Sequence, residues 1–208
     1  MTMIDLPTSA PGASPKAGPS RGMLLVISGP SGVGKTTITH HVEKQLHGVF
    51  SVSLTTRAKT ANDTEGVDYH FVSQTEFERA RDAGELLEWA EVYPGCSYGT
   101  PRKPVEAAIA AGRLVILEID VDGAIQIKKL MPDAFSLFML PPNEQVLLQR
   151  LRGRKREDET IIQRRFAKAK HEIIKAWECG VYDEFIINRD LDHAVHEAVS
   201  LVGARLGR

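Results

Sequence analysis

No apolar run in this chain approaches the roughly eighteen residues that a membrane-spanning helix requires, so a helical passage through a bilayer is not expected. The opening stretch MTMIDLPTSAPGASPKAGPSRG lacks the continuous apolar segment of a secretory signal, and the cytoplasm is the expected location. Cysteine is scarce. Cys96 and Cys179 stand far apart without CxxC spacing, which argues against a zinc site or a disulfide framework and suits a reducing compartment. A surplus of charge of one sign is missing as well: a net charge of −1 gives neither the footprint of a nucleic-acid binder nor an acidic tail. Internal repeats are absent too.

What is present fits one globular domain, because 208 residues at 42% hydrophobic and 25% charged can bury a full core and still carry smaller inserted lobes. Residues 1–21, rich in Pro, Gly, Ser and Ala, cannot offset their ordering entropy and are expected to be a disordered tail before a domain over 22–208. Four apolar runs, MLLVI from Met23, LVILEI from Leu114, FSLFML from Phe135 and FII from Phe185, are continuous rather than alternating. That is the signature of strands covered on both faces, the centre of a parallel sheet. Helical spacing follows: Ile38, Val42 and Leu46 with a stop at Gly48, then Val146, Leu147 and Leu151 after a cap at Asn143. Leu191, Val195, Val199 and Val202 form a last stripe, and the alternation predicts an α/β layered core. Over 53–100 the texture changes to short strand-like pieces around one helical segment, which reads as an inserted lobe.

The stretch GPSGVGKTT, Gly29 to Thr37, fits GxxxxGK[ST] through Thr36, and it follows an apolar strand and opens an amphipathic helix. A phosphate cradle needs that context, because backbone N–H groups and a helix N-terminus must face the anion while glycines let the backbone approach. Gly29, Pro30, Ser31, Gly32, Val33, Gly34, Lys35, Thr36 and Thr37 are therefore expected to cradle the phosphates of a nucleoside triphosphate. Lys35 would reach the β and γ phosphates and the Thr36 hydroxyl would ligate Mg²⁺. Between Arg150 and Lys170 stand nine Lys or Arg against three acids, in a chain that is otherwise near neutral. Phosphoryl transfer needs cations that close over the migrating group, so Arg150, Arg154 and Arg165 are expected to form a catalytic clamp; a solvated helix face is the other reading.

GPSGVGKTT, SLTTR, EGVDYHFV, LLEWAEV with YGT, LEID and INRDLD come in an order and spacing that resemble the guanylate kinases, the bacterial members closely, over 23–208. The resemblance implies an α/β fold with a P-loop NTPase three-layer core around a central parallel sheet, an inserted GMP-binding lobe and a small helical lid. It implies a core over 22–52, 101–150 and 171–208, the lobe over 53–100 and the lid over 151–170. It also implies an enzyme that moves the γ-phosphoryl of Mg·ATP onto GMP, with these two nucleotides as partners and no nucleic acid or membrane. Ser53, Arg57, Tyr69 and Tyr98 match the family's contacts to the GMP phosphate, which wants hydroxyls and a cation. Glu88 matches the acid that accepts guanine N1–H and N2–H₂, with Thr100 and Asp120 as further base contacts. Asn188 resembles a residue near the adenine of ATP, although an Asn before RDLD can equally cap the last helix.

One departure matters. Where the family carries a second Arg after TTR, this chain has Thr60, and Asp63 stands where a Glu is usual. Lys59 is expected to reach the same phosphate as a point charge. Glu118 and Asp120 end one strand, and alternation leaves open which of them faces the site. Two rival readings are a guanylate-kinase-like module that holds phosphorylated partners, and a kinase of another small phosphorylated acceptor.

Overall fold

The computed structural model describes residues 22–153 and 158–207. The expected tail over 1–21 and Arg154 lie outside the described residues. The first half of the chain runs β1 (Met23–Ser28), α1 (Lys35–Leu46), β2 (Val49–Phe50), β3 (Leu54–Thr55), β4 (His70–Phe71), α2 (Gln74–Asp82), β5 (Leu86–Tyr93) and β6 (Cys96–Pro101). The second half runs α3 (Arg102–Ala110), β7 (Leu114–Glu118), α4 (Val121–Leu130), β8 (Phe135–Leu140), α5 (Glu144–Arg152), α6 (Glu159–Cys179), β9 (Glu184–Ile187) and α7 (Leu191–Leu206). The four apolar runs are β1, β7, β8 and β9, and with the short edge strand β2 they form one parallel sheet in the order β2-β7-β1-β8-β9.

Why these runs are continuous shows in β1. Leu25 and Ile27 pack with Ile38 and Val42 of α1 and with Ala194, Ala198 and Val202 of α7. Leu24 and Val26 point the other way, toward Val105 of α3 and Ala124 and Ile127 of α4. Both faces are covered, so an apolar side chain at every position gains burial of about 1.5–3 kcal/mol. The result is a three-layer α/β core. Farther along the sheet, Phe138 and Leu140 of β8 meet Ile173 and Ala176 of α6.

Three local expectations are corrected. The left-handed residue that ends α1 is His47 (φ 54°), one position before Gly48. Gly48 is instead a matter of space, since a Cβ there would lie 2.9 Å from Ile116 Cδ1. In α7 the inward face is built by Ala194, Val195, Ala198 and Val202, while Leu191 in the first turn remains exposed. It stands beside the loop at Gly34 rather than over the sheet. Val146 of α5 is only half-buried, whereas Leu147 and Leu151 are fully inside, packed with Ile162 and Ala169 of α6.

The small lobe is a separate four-stranded sheet in the order β4-β3-β6-β5, with its own core of Phe77, Ala80 and Leu86 against Leu54 and Val72. α2 enters it through a reciprocal cap between Ser73 and Glu76. Antiparallel pairing of β5 with β6 sets Glu88 directly opposite Thr100. α6 is one 21-residue helix that passes residue 170 without interruption. No helix among the described residues is long and apolar enough to cross a membrane.

Candidate active site

β1 delivers the chain into the glycine-rich loop at the carboxyl edge of the parallel sheet, where ligands of such sheets gather. Gly34 stands at the N-cap of α1 with φ 98°, a conformation that strains any residue with a Cβ, and no side chain caps that helix. A Cβ there would also lie 2.7 Å from Asn188 Nδ2. The first-turn amides of α1 therefore face the loop without a built-in acceptor, where an anion is favoured. Lys35 Nζ donates to Gly29 O at 2.7 Å and Pro30 O at 3.3 Å, so the ammonium is folded into the cradle.

The cradle is held from several sides. Asn188 Nδ2 donates to Val33 O at 2.7 Å, and Arg150 Nη2 donates to Asn188 O at 3.0 Å. Arg165 Nη2 donates to Ser31 Oγ. The cap of α7 is Asp190, which accepts from His193 N, so Asn188 serves the loop and not the helix. Thr36 Oγ1 donates to Glu118 Oε1 at 3.0 Å. Glu118 and Asp120 both line the cleft, which corrects the expectation that only one of them faces it; residues two apart on an extended segment share a face.

The cleft has a volume of about 240 Å³ and brings together Gly29, Ser31, Lys35 and Arg165 with Ser53, Tyr69, Glu88, Tyr98 and Asp120. Residues of the glycine-rich loop and residues of the small lobe thus share one cavity. Thr100 lies beneath it, fully buried, and its hydroxyl donates to Glu88 Oε1 at 2.5 Å. Glu88 is 4% exposed. Burial pushes its carboxyl up to about 7, with the Asp120 charge adding and the Thr100 bond opposing. Asp120 is raised by burial too, against the Gly123 N–H that it accepts at 2.9 Å. Tyr69 is pushed up to about 12 by burial and by Tyr98, whose ring meets it edge-on at 5.5 Å.

Arg57, Lys59 and Asp63 do not line the cleft, although Arg57 stands over Tyr69, which does. Asp63 takes the Arg57 fork on both oxygens, each at 2.9 Å, and the Arg57 head stands 5.3 Å from the Tyr69 ring centre. Thr60 donates to Asp63 from its N–H at 2.7 Å and its hydroxyl at 2.6 Å. These bonds hold the Asp63 carboxyl well below the usual range and raise Arg57. Lys59 is exposed, with Nζ 5.9 Å from the Phe71 ring centre.

Two charged cleft residues lie outside the sequence expectation. Lys168 donates to Val92 O at 2.6 Å, tying α6 to the small lobe, and Glu172 lies 3.9 Å from its ammonium. Burial raises the Glu172 carboxyl, opposed by Lys168 and Lys35. A signal for both exists in the chain: Arg165, Lys168 and Glu172 fall at i, i+3 and i+7 on one helix face.

A model of the guanylate kinase family matches residues 21–204 of this chain. The chain is similar to the guanylate kinase of Synechocystis sp. at 47% identity, over 88% of this chain and 94% of that protein. It is similar to the guanylate kinase of Corynebacterium diphtheriae at 43% identity, over 88% and 96%. Among solved structures, the guanylate kinase from Anaplasma phagocytophilum superposes with a TM-score of 0.71 at 33% identity, over 91% of this chain and 88% of that one.

Proposed function

Because this chain belongs to the guanylate kinase family, we propose that its cleft moves the γ-phosphoryl group of ATP onto GMP, giving ADP and GDP. The observation that carries the reading is the shared cavity: a buried carboxylate on the small lobe and a lysine-bearing phosphate cradle line the same space. Guanine offers N1–H and N2–H₂ side by side, and Glu88 can accept both. Adenine has no proton on N1 and would leave a desolvated carboxylate unpaired, a penalty that discriminates by roughly 10² to 10⁵.

Catalysis here consists of positioning and charge stabilisation, with no covalent intermediate on the protein. The α1 amides and Lys35 hold the triphosphate. Arg165 reaches the cradle from α6, and Arg150 reaches it through Asn188, so both can follow the γ-phosphoryl as the helices close. Ser53, Tyr69, Tyr98 and Arg57 hold the acceptor phosphate at the other end. The donor set fits a hard divalent cation, since the Thr36 hydroxyl and the Glu118 carboxylate stand together beside the cradle. Thr36 and Glu118 would hold Mg²⁺ there, and the ion would supply positive charge to neutralise the triphosphate. Two unpaired cysteines agree with a cytoplasmic setting. A module that only holds phosphorylated partners has no use for the intact cradle, and an acceptor without guanine has no use for Glu88.

The test is ADP release with GMP, dGMP, AMP, CMP and UMP as acceptors. GMP and dGMP should be used and the others spared; equal use of AMP would overturn the assignment. Arg57→Ala should raise KM for GMP about tenfold or more, because the guanidinium that Asp63 holds over Tyr69 is lost from the acceptor phosphate. Lys59→Ala should change it less than about threefold, since its ammonium packs on Phe71. Equal effects would show that Lys59 does supply the missing second cation.

A further inference from the structure

The residue opposite Glu88 on α4 is Gly123, and its backbone gives no reason for a glycine. It lies in the first turn of a regular helix, with no positive φ, where alanine is the better helix former. Space gives the reason. A Cβ on Gly123 would lie 2.5 Å from Glu88 Oε2, 3.1 Å from Glu88 Cδ and 3.3 Å from Ile119 Cδ1. The carboxylate therefore occupies the volume that any other residue at 123 would fill.

Glu88 is fixed on its remaining sides. Its Oε1 accepts the Thr100 hydroxyl at 2.5 Å. The next residue, Trp89, exchanges two hydrogen bonds with Gln126, its N–H donating at 3.2 Å and its carbonyl accepting at 2.8 Å. Gln126 stands one turn beyond Gly123, so β5 and α4 are clamped where the carboxylate sits. The strand cannot retreat to relieve a clash. Only the end of the Glu88 side chain can move, and that end is the part that meets the acceptor base.

Resting on the reading of Glu88 given above, we propose that Gly123 is a positioning residue for acceptor specificity: its bare α-carbon sets where the base-reading carboxylate lies. Gly123→Ala turns the carboxylate aside while sparing the fold, because the far end of a side chain yields at little cost. A misplacement on the scale of an ångström can reduce a rate by roughly a hundredfold.

The experiment measures KM and kcat for GMP, for ATP and for inosine monophosphate, which keeps N1–H and lacks the 2-amino group. It uses Gly123→Ala, Glu88→Ala and the double variant. Gly123→Ala should raise KM for GMP about tenfold or more, narrow the preference for GMP over inosine monophosphate, and leave KM for ATP unchanged. In the Glu88→Ala background it should do nothing further, as no carboxylate remains to displace. If Gly123→Ala leaves GMP binding intact while Glu88→Ala does not, the proposal is wrong and the base assignment stands. If neither variant affects GMP, the base assignment fails and takes the proposal with it. Should Gly123→Ala not fold, a double variant that folds as Glu88→Ala does would support the steric link. A double variant that also fails to fold would refute it.

Discussion

Lys35→Ala is expected to lower kcat for GMP phosphorylation by about a thousandfold, the scale lost when one preorganised cation is removed from a phosphoryl-transfer site. The ammonium has two duties. In the cradle it holds the carbonyls of Gly29 and Pro30, and in the proposed mechanism it faces the charges of the transferring group. Its loss also leaves carboxylates in the cleft with less compensation, since Lys35 lowers the Glu172 carboxyl. Glu118 and Glu172 would then repel the triphosphate they now tolerate. KM for GMP should change far less than kcat, because the proposed acceptor contacts lie on the small lobe. Steady-state kinetics on both substrates, with a melting curve to show an intact fold, make the comparison. A kcat within about tenfold of the parent would remove Lys35 from the chemistry.

Glu88→Gln is expected to lower kcat/KM for GMP by roughly a hundredfold or more, because an amide cannot accept from both guanine donors. The pH dependence gives a second signature. Burial pushes the Glu88 carboxyl up to about 7, and the proposed guanine contact requires its charged form. Below that pH each binding event must expel a proton, so kcat/KM for GMP should fall about tenfold per pH unit. The GMP phosphate, titrating near pH ~6, adds its own limb in both proteins. Only the Glu88 limb should vanish in the variant. Stability moves the opposite way. The folded-state value lies above the ordinary glutamate value of 4.5, so the folded chain binds more protons than the unfolded one between 4.5 and about 7. Its stability is full below 4.5 and declines as pH rises through about 7. The uncharged amide of the Glu88→Gln variant escapes that decline and keeps a partner for Thr100, so the variant should melt higher than the parent above pH ~7. The two curves should converge below the ordinary glutamate value. A variant that is less stable than the parent at pH ~8 would contradict the account of Glu88 as a strained, functional acid.

The core sheet is legible in the residues because strands covered on both faces leave a mark in the composition itself: Leu24 to Ile27 are apolar without a gap. The phosphate cradle is legible for a similar reason, its chemistry being carried by neighbours in sequence. What is not legible depends on contacts between distant residues. β6, CSYGTP, has no apolar rhythm and is a strand only because β3 and β5 flank it. Gly48 has the position of a helix stop, yet its bare α-carbon answers to Ile116 on another element. In sequence, Thr60 stands for a missing cation, whereas in the structure its hydroxyl braces the acid that braces Arg57. Gly123 carries no signal alone. Its meaning appears only when β5 brings Glu88 against α4.

The most direct measurement is a crystal structure with GMP and a non-hydrolysable ATP analogue bound together. The guanine edge should lie within hydrogen-bond distance of Glu88, with the acceptor phosphate among Ser53, Arg57, Tyr69 and Tyr98 and in line with the γ-phosphate held at Lys35. A base turned away from Glu88, or an acceptor phosphate beyond reach of the γ-phosphate in the closed form, would contradict the account.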